Sequence, residues 1–319
     1  MASASSQNPF PDDGSPREIK RHSDTFLRNF AISRADIAPG QPKLKMTQFS
    51  HSNFKGAADH ITETGKLVVP DDNFSRDQFS KVVCSGFQHE ELQCYTFIEN
   101  ALEVHPLIFD IDFLCRKKPP AMFNEDFWEE MANIVLDVLD KDHKKMEFDV
   151  CVFTSHGHHS EKSQYKFSYH IYFQWRASEV SGGKVFGVDK LVMSQIRLYI
   201  LQKIYERIFE EDEYFSMIYD KLYEYCSTDF NKVIDKTPCS MPVASFRLPF
   251  CDKMKSASDG RKTKQLEGRP VIPEVCMPFR YEVEEKFEKY FWYLARCEAK
   301  FRTTTLFVKT KSIKMNQNA

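Results

Sequence analysis

The most restrictive feature of this sequence is a pair of runs in which polar and apolar side chains alternate. In Leu107–Phe113 the alternation sets Asp110 and Asp112 on one face. In Tyr165–Trp175 it sets polar and aromatic residues on opposite faces. Successive side chains of a strand point to opposite sides of the sheet. Each run therefore predicts a strand with one apolar face and one face that carries charge.

The segments around these runs predict the remaining elements. Glu147–Thr154 is β-branched and aromatic and is separated from Tyr165–Trp175 by a polar, His-rich loop, which predicts a hairpin. Asn124–Asp140 has apolar residues at helical spacing behind an acidic start, which predicts an amphipathic helix. Val188–Tyr225 has a longer helical period, which predicts two or more helices. The predicted fold class is α+β.

The length and composition allow one large or two fused modules with a substantial core. The chain has 319 residues, of which 42% are hydrophobic. No apolar run approaches the roughly 18 to 20 residues that span a bilayer, and the first residues lack the apolar segment of a secretory signal. We expect a flexible tail at 1–25, a core at 26–301 and a basic C-terminal tail at 302–319.

The nine cysteines do not predict a disulfide framework or a zinc site. They are odd in number and scattered, which favours free thiols in a reducing compartment. No CxxC or HxxxH pair is present. A zinc site would need residues brought together only by tertiary structure, such as Cys226, Cys239 and Cys251 with His156, His158 or His159. We therefore do not expect zinc.

The charge is unevenly distributed along the chain. The net charge is -2, but basic residues outnumber acidic ones from Cys226 onward, and Glu206–Glu224 is strongly acidic. Such a distribution is compatible with a nucleic-acid partner, although any single Lys more often belongs to a solvated basic surface. The sequence contains no internal repeat and no GxxxxGK[ST] motif, so it predicts no ATPase motor.

Asp110 and Asp112 are candidate metal ligands. On one face of a strand, two carboxylates raise each other's pKa, and a bound divalent cation reverses that cost. The alternative interpretation is an exposed strand rim that displays two acidic residues by chance.

Lys166, Ser168 and His170 occupy alternate positions of the second run and share a face. A cation, a hydroxyl and an imidazole can all donate hydrogen bonds to phosphate oxygens. The alternative is the solvent-facing half of an amphipathic strand.

A third segment adds one more carboxylate and two cations. Asp235 follows two β-branched residues, as at the end of a strand that delivers a side chain to a cleft. Arg247 stands between Phe246 and Leu248, and its guanidinium fork suits phosphate. Lys253 lies six positions further on. Taken singly, each of these charged residues is most often found in a surface salt bridge.

Together the three segments resemble the archaeo-eukaryotic primase (AEP) superfamily, whose pattern is a DxD or DxE strand, an SxH strand and a third Asp. Within it, the chain is most similar to PrimPol-type enzymes and to the N-terminal primase domain of primase-helicases from large DNA viruses. The resemblance covers 99–253. It implies an N-terminal mixed α/β module packed on an RNA-recognition-like sheet module, with the catalytic cleft between them.

The resemblance also implies roles for the candidate residues. Asp110, Asp112 and Asp235 would be catalytic and hold two Mg²⁺ or Mn²⁺ ions. The residues that would bind the incoming nucleotide are Lys166, Ser168, His170, Arg247 and Lys253. The substrates would be NTPs or dNTPs and a single-stranded DNA template, with a replicative helicase or polymerase as partner. The expected location is intracellular, either the nucleus or a cytoplasmic site of viral replication.

The chain departs from the family pattern after the third Asp. Thr237–Cys239 stands where relatives carry an aromatic residue, and Asp229 is a competing candidate for the third ligand. The zinc-binding segment of several relatives is not recognisable. Two other functions stay open at this point: a DxD transferase that uses sugar nucleotides, such as a glycosyltransferase, and a catalytically idle primase-like scaffold of the replisome.

Overall fold

The computed structural model describes most of the chain up to residue 279. The described residues are 14–37, 50–53, 64–70, 72–89, 95–100, 104–118, 121, 123–138, 148–159, 162–175, 186–240, 245–256, 262–279 and 306–307. The helices are α1 (Pro16–Phe30), α2 (Asn73–Gln88), α3 (Glu125–Val138), α4 (Lys190–Phe209), α5 (Glu213–Tyr225) and α6 (Thr237–Ser240). Two 3₁₀ turns cover Arg34–Asp36 and Phe230–Lys232.

The strands are short in the N-terminal part and longer in the middle of the chain. They are β1 (His51–Asn53), β2 (Lys66–Leu67), β3 (Phe97–Asn100), β4 (Leu107–Cys115), β5 (Phe148–Thr154), β6 (Gly157–His159), β7 (Gln164–Trp175), β8 (Phe186–Gly187), β9 (Ser245–Arg247), β10 (Met254–Ser256), β11 (Lys262–Leu266), β12 (Ile272–Phe279) and β13 (Leu306–Phe307).

The larger sheet has the strand order β12-β5-β7-β4, and β6 pairs with β7. All of these pairings are antiparallel. The predicted hairpin is confirmed, because β5 and β7 pair from Phe148 opposite Trp175 to Thr154 opposite Tyr169. Since β4 and β5 both flank β7 and are joined through α3, they form a split βαβ unit.

The apolar face of this sheet is covered by helices. Phe113 stacks on Phe167 at 5.2 Å between ring centroids, and Trp128 of α3 packs on Tyr169 at 5.3 Å. The amphipathic helix predicted at 124–140 is confirmed as α3, and the helical pair predicted at 188–225 is confirmed as α4 and α5. Residues 139 and 140 lie outside the described residues. None of the described helices is long and apolar enough to cross a membrane.

The smaller sheet has the order β2-β1-β3-β9 and packs with α1 and α2 on its own apolar core. Phe79 of α2 contacts Phe97 of β3 edge-on at 5.2 Å. The last strand of this sheet, β9, comes from the segment that follows α6. The predicted α+β architecture is confirmed, with an N-terminal mixed module beside the larger sheet.

The flexible tail predicted at 1–25 is wrong for 16–25, which belong to α1. Ser15 caps this helix: its hydroxyl accepts from the Glu18 amide, and the Glu18 carboxylate accepts from the Ser15 amide at 3.0 Å. Ile19 and Leu27 are buried in the core of the smaller module. The polar composition of this segment concealed a capping box and a narrow apolar stripe.

Parts of both predicted tails fall outside the described residues. These are 1–13 at the N-terminus, and 302–319 apart from Leu306–Phe307 at the C-terminus. Leu306–Phe307 form β13, which pairs in parallel with β8.

If α1 is part of the core, Leu27→Ala should lower the free energy of unfolding by about 2–5 kcal/mol, the usual cost of truncating a buried leucine. Asn29→Ala is the matched control, because Asn29 is exposed on the same helix. Urea denaturation of both variants measures the difference. Equal stability of the two would show that α1 does not dock on the fold.

Candidate active site

The register between β4 and β7 brings the two charged faces together. Asp110 lies opposite His170, and Asp112 lies opposite Ser168. Lys166, two residues before Ser168, lies on the same face. The two alternating runs therefore form a single polar strip on the sheet, with the helices on the reverse side.

Asp112 and Lys166 form an ion pair across this strip, with 2.5 Å between Oδ2 and Nζ. Burial alone would raise the pKa of the Asp112 carboxyl, but the charge and hydrogen bond of Lys166 hold that pKa below its ordinary value. The predicted phosphate-binding lysine thus lies next to a predicted metal ligand.

Asp110 has the opposite electrostatic environment. Burial raises its pKa well above the ordinary value, and the neighbouring Asp112 and Asp235 carboxylates raise it further. His170 Nε2 is 3.8 Å from Asp110 Oδ1. Burial, followed by the nearby Arg247, lowers the pKa of His170 to about 3, so the imidazole is neutral at pH 7. His170 therefore gives Asp110 no compensating charge.

Asp235 lies near the two carboxylates because its segment pairs with the outer edge of β4. The Asp235 amide donates to the Asp110 carbonyl at 2.8 Å, and the Asp112 amide donates to the Val233 carbonyl at 2.8 Å. The Asp235 side chain accepts from the Thr237 amide at 2.8 Å. Main-chain pairing with β4 thus fixes Asp235 next to the other two carboxylates.

Two contacts show how this edge segment is supported and why Asp229 is not part of it. The buried Arg197 of α4 donates to the Ile234 carbonyl at 2.8 Å. Asp229 instead caps the 3₁₀ turn, accepting from the Asn231 amide at 3.2 Å, and its side chain is 52% exposed. The structure thus places Asp235, and not Asp229, beside Asp110 and Asp112.

Arg247 reaches the same site from the smaller sheet. It lies on β9 opposite Ile98 of β3, and its Nη1 donates to the Arg269 carbonyl at 2.9 Å. Burial and the nearby Arg269 lower the pKa of Arg247, while Asp110 raises it. Two sheets therefore contribute to one site.

Lys253 is held in place through hydrogen bonds of its main chain. Its side chain is exposed, and its main chain is held by the Asp252 carboxylate at 2.6 Å and by the Glu267 amide at 2.8 Å. Its role in nucleotide binding stays a prediction.

The side chains at the site fit a hard divalent cation. Among the described residues, no three His, Cys, Asp or Glu are arranged to hold a metal ion as they stand. However, Asp110 Oδ1 and Asp112 Oδ1 are buried without a hydrogen-bond partner in the described part of the chain. Carboxylate oxygens are the ligands that Mg²⁺ and Mn²⁺ prefer. The excess of like charge at the site would be relieved by such ions.

Two of the residues considered for zinc, Cys226 and His156, make other contacts. Cys226 Sγ lies 2.9 Å from Cys115 Sγ at the end of β4. His156 Nδ1 accepts from the Ser168 amide at 3.2 Å. Cys226 thus belongs to the apolar core, and His156 packs on Phe167 and Tyr169.

The family model of the C962R protein N-terminal AEP domain matches residues 59–245, which is more than half of the chain. The matched range contains Asp110, Asp112 and Asp235 together with Lys166, Ser168 and His170. This chain belongs to that AEP family. No curated protein matches the chain. The AEP domain family is in general a group of nucleotidyltransferases and primases.

The AEP match ends just before Arg247 and Lys253. The assignment of Arg247 therefore depends on the structure, which brings this residue to the site. The assignment of Lys253 depends on the sequence pattern alone. The three carboxylates and the SxH strand, in their order along the chain, all lie inside the matched range.

Several residues at the AEP site escaped the sequence analysis. Tyr172 is the next residue on the charged face of β7, and burial, followed by Glu99 and Asp110, raises its pKa. The alternation from Lys166 to His170, continued by two residues, would have found it. Arg269 and Asp252 are also at the site, but they lie far from the motif strands in sequence, and no local pattern identifies them.

The electrostatics predict different effects of two isosteric substitutions. Without divalent cations, Asp110→Asn should keep or raise the melting temperature, because it removes a half-buried charge that is repelled by two carboxylates. Asp112→Asn should lower it relative to Asp110→Asn, because Lys166 loses its partner. Thermal unfolding in a chelator measures both variants. Equal destabilisation by both would contradict the charge distribution described here.

Proposed function

We propose that this AEP domain is a DNA-dependent primase or primase-polymerase that makes short primers on single-stranded DNA from NTPs or dNTPs. The observation that carries the proposal is the single polar strip, in which three carboxylates adjoin Lys166, Ser168 and His170. Arg247 closes the site from the second sheet. Carboxylates for cations beside donors for phosphate are the requirement of nucleotidyl transfer.

In the proposed reaction, the 3′ oxygen of a primer or first nucleotide bonds to the α-phosphorus of the incoming nucleotide, and the bond to pyrophosphate breaks. Two Mg²⁺ or Mn²⁺ ions, held by Asp110, Asp112 and Asp235, would lower the pKa of the attacking hydroxyl and neutralise the charge of the leaving pyrophosphate.

The remaining side chains would bind and orient the triphosphate. Lys166, which neutralises Asp112 in the absence of substrate, lies close enough to the carboxylates to serve phosphate as a compact charge. The neutral His170 has one ring N–H to donate without adding charge. The Arg247 guanidinium offers a planar fork that matches two phosphate oxygens.

The partners follow from the reaction class. Single-stranded DNA would be the template, and a replicative helicase or polymerase would work alongside the protein. We place the protein at an intracellular site of DNA replication, nuclear or viral and cytoplasmic.

The decisive experiment is extension of a labelled primer on single-stranded DNA, with Mn²⁺ or Mg²⁺ and with each nucleotide set, followed by the same assay without primer. Asp110→Ala, Asp112→Ala and Asp235→Ala should each reduce extension by more than about 100-fold, beyond the 10–100-fold typical of outer-shell residues. Asp229→Ala is the matched control and should retain activity, because Asp229 caps a turn.

The outcomes of this assay separate the proposal from its rivals. A wild-type protein that binds DNA but extends nothing would support an idle replisome scaffold. Transfer from a sugar-nucleotide donor, with no primer extension, would support a glycosyltransferase-like activity. Loss of extension in Asp229→Ala with retention in Asp235→Ala would reassign the third carboxylate.

Template binding should follow the DNA backbone of a single strand. We expect tighter binding to single-stranded than to duplex DNA of equal length, because the sequence has no groove-reading signature. Affinity should fall with a shallow slope as salt rises, since few phosphates are neutralised. Fluorescence anisotropy across a salt series measures both. Equal or tighter binding to duplex, unaffected by salt, would contradict this mode.

A further inference from the structure

The main-chain carbonyl of Arg269 links the two sheets at the site. It accepts from Ser155 Oγ at 2.6 Å and from Arg247 Nη1 at 2.9 Å. Ser155 directly follows β5, and its amide donates to the Ser168 carbonyl at 2.9 Å. The carbonyl therefore connects the predicted phosphate-binding arginine to the predicted nucleotide strand.

The turn that carries this carbonyl is held from two sides. The buried Arg269 guanidinium donates to the Ser155 carbonyl at 3.2 Å and pairs with Glu267. The buried Asp252 carboxylate accepts from the Gly268 amide at 2.8 Å and from the Arg269 amide at 3.1 Å. A carboxylate that accepts several amides fixes a turn strongly, because each charge-assisted bond constrains the main chain.

Gly157 leaves the space that the Arg269 side chain occupies. A Cβ at this position would lie 2.4 Å from Arg269 Cδ, and φ at Gly157 is +151°. A larger residue would have to displace the arginine. The position of the Arg269 side chain therefore depends on its hydrogen bond to Ser155, its pairing with Glu267 and the space left by Gly157.

We propose that Ser155 and Arg269 are positioning residues that orient Arg247 for nucleotide binding. Arg247 donates one of its five N–H groups to the Arg269 carbonyl, which sets the plane of the guanidinium and directs the rest of the fork. Asp252 holds the turn, and Ser155 ties it to the Ser168 strand. This inference rests on the proposed function, because it assumes that Arg247 binds the nucleotide.

The alternative is a turn that only stabilises the fold. A structural role would change the melting temperature and the amount of active protein, but not the apparent affinity of the active fraction for nucleotide. A positioning role would raise the nucleotide KM while leaving kcat and template binding nearly unchanged. This rise in the nucleotide KM would also disappear in a variant that already lacks the Arg247 guanidinium.

The test is steady-state primer extension with varied nucleotide concentration, using Ser155→Ala, Arg247→Met and the double variant. Ser155→Ala should raise the nucleotide KM about 2–10-fold, the effect of one hydrogen bond, with a nearly unchanged kcat. Ser155→Thr, which keeps the hydroxyl, should restore the wild-type KM. The double variant should be no worse than Arg247→Met alone, because Ser155 acts through Arg247.

The controls separate this inference from the proposed function. Ser216→Ala on α5 is the matched serine control and should behave as wild type. An unchanged nucleotide KM in Arg247→Met would remove Arg247 from the proposed nucleotide site. A raised KM in Arg247→Met with an unchanged KM in Ser155→Ala, or with additive effects in the double variant, would overturn the positioning role alone.

Arg269→Met provides a second route if Ser155→Ala folds poorly. It keeps the aliphatic stem against Gly157 but removes the guanidinium that grips the Ser155 carbonyl. It should raise the nucleotide KM at least as much as Ser155→Ala, and this effect should also vanish in the Arg247→Met background. A wild-type KM in folded Arg269→Met would equally overturn the inference.

Discussion

The site depends on a repulsive interaction that the backbone enforces. The pairing of Asp235 with the main chain of β4 brings a third carboxylate to Asp110 and Asp112. Carboxylates held this close raise the pKa of the most buried member, and here that member is Asp110. A fold can hold like charges this close only where the surrounding structure fixes their positions.

The compensating structure is visible around the three carboxylates. Lys166 neutralises Asp112, and Arg197 holds the main chain just before Asp235 from beneath. On the reverse face, the stacked aromatic rings of the sheet and α3 give the strands a rigid base. The carboxylates of the strip can therefore stay close together despite their repulsion, because the apolar face of the same strands is well packed.

The second requirement is the fixed relation between the two sheets. Arg247 comes from the smaller sheet, most of whose core is separate from that of the larger one, although its neighbour Phe246 packs in the larger core. A polar link between them near the site passes through the Arg269 carbonyl and Ser155. Polar links of this kind define geometry more narrowly than apolar packing, because hydrogen bonds are directional.

The sequence by itself determined the charged faces of the two motif strands, the hairpin and the helices at 124–140 and 188–225, because side-chain periodicity is a local property. It missed α1, whose apolar stripe is narrow and lies in a polar context. The resemblance had already selected Asp235 as the third carboxylate. Only the tertiary structure set Asp235 beside Asp110 with Asp229 as the cap of a turn, brought Arg247 to the strip, and placed Arg269 beside Ser155. These choices depend on main-chain hydrogen bonds between segments far apart in the chain, and such bonds leave no mark on side-chain pattern.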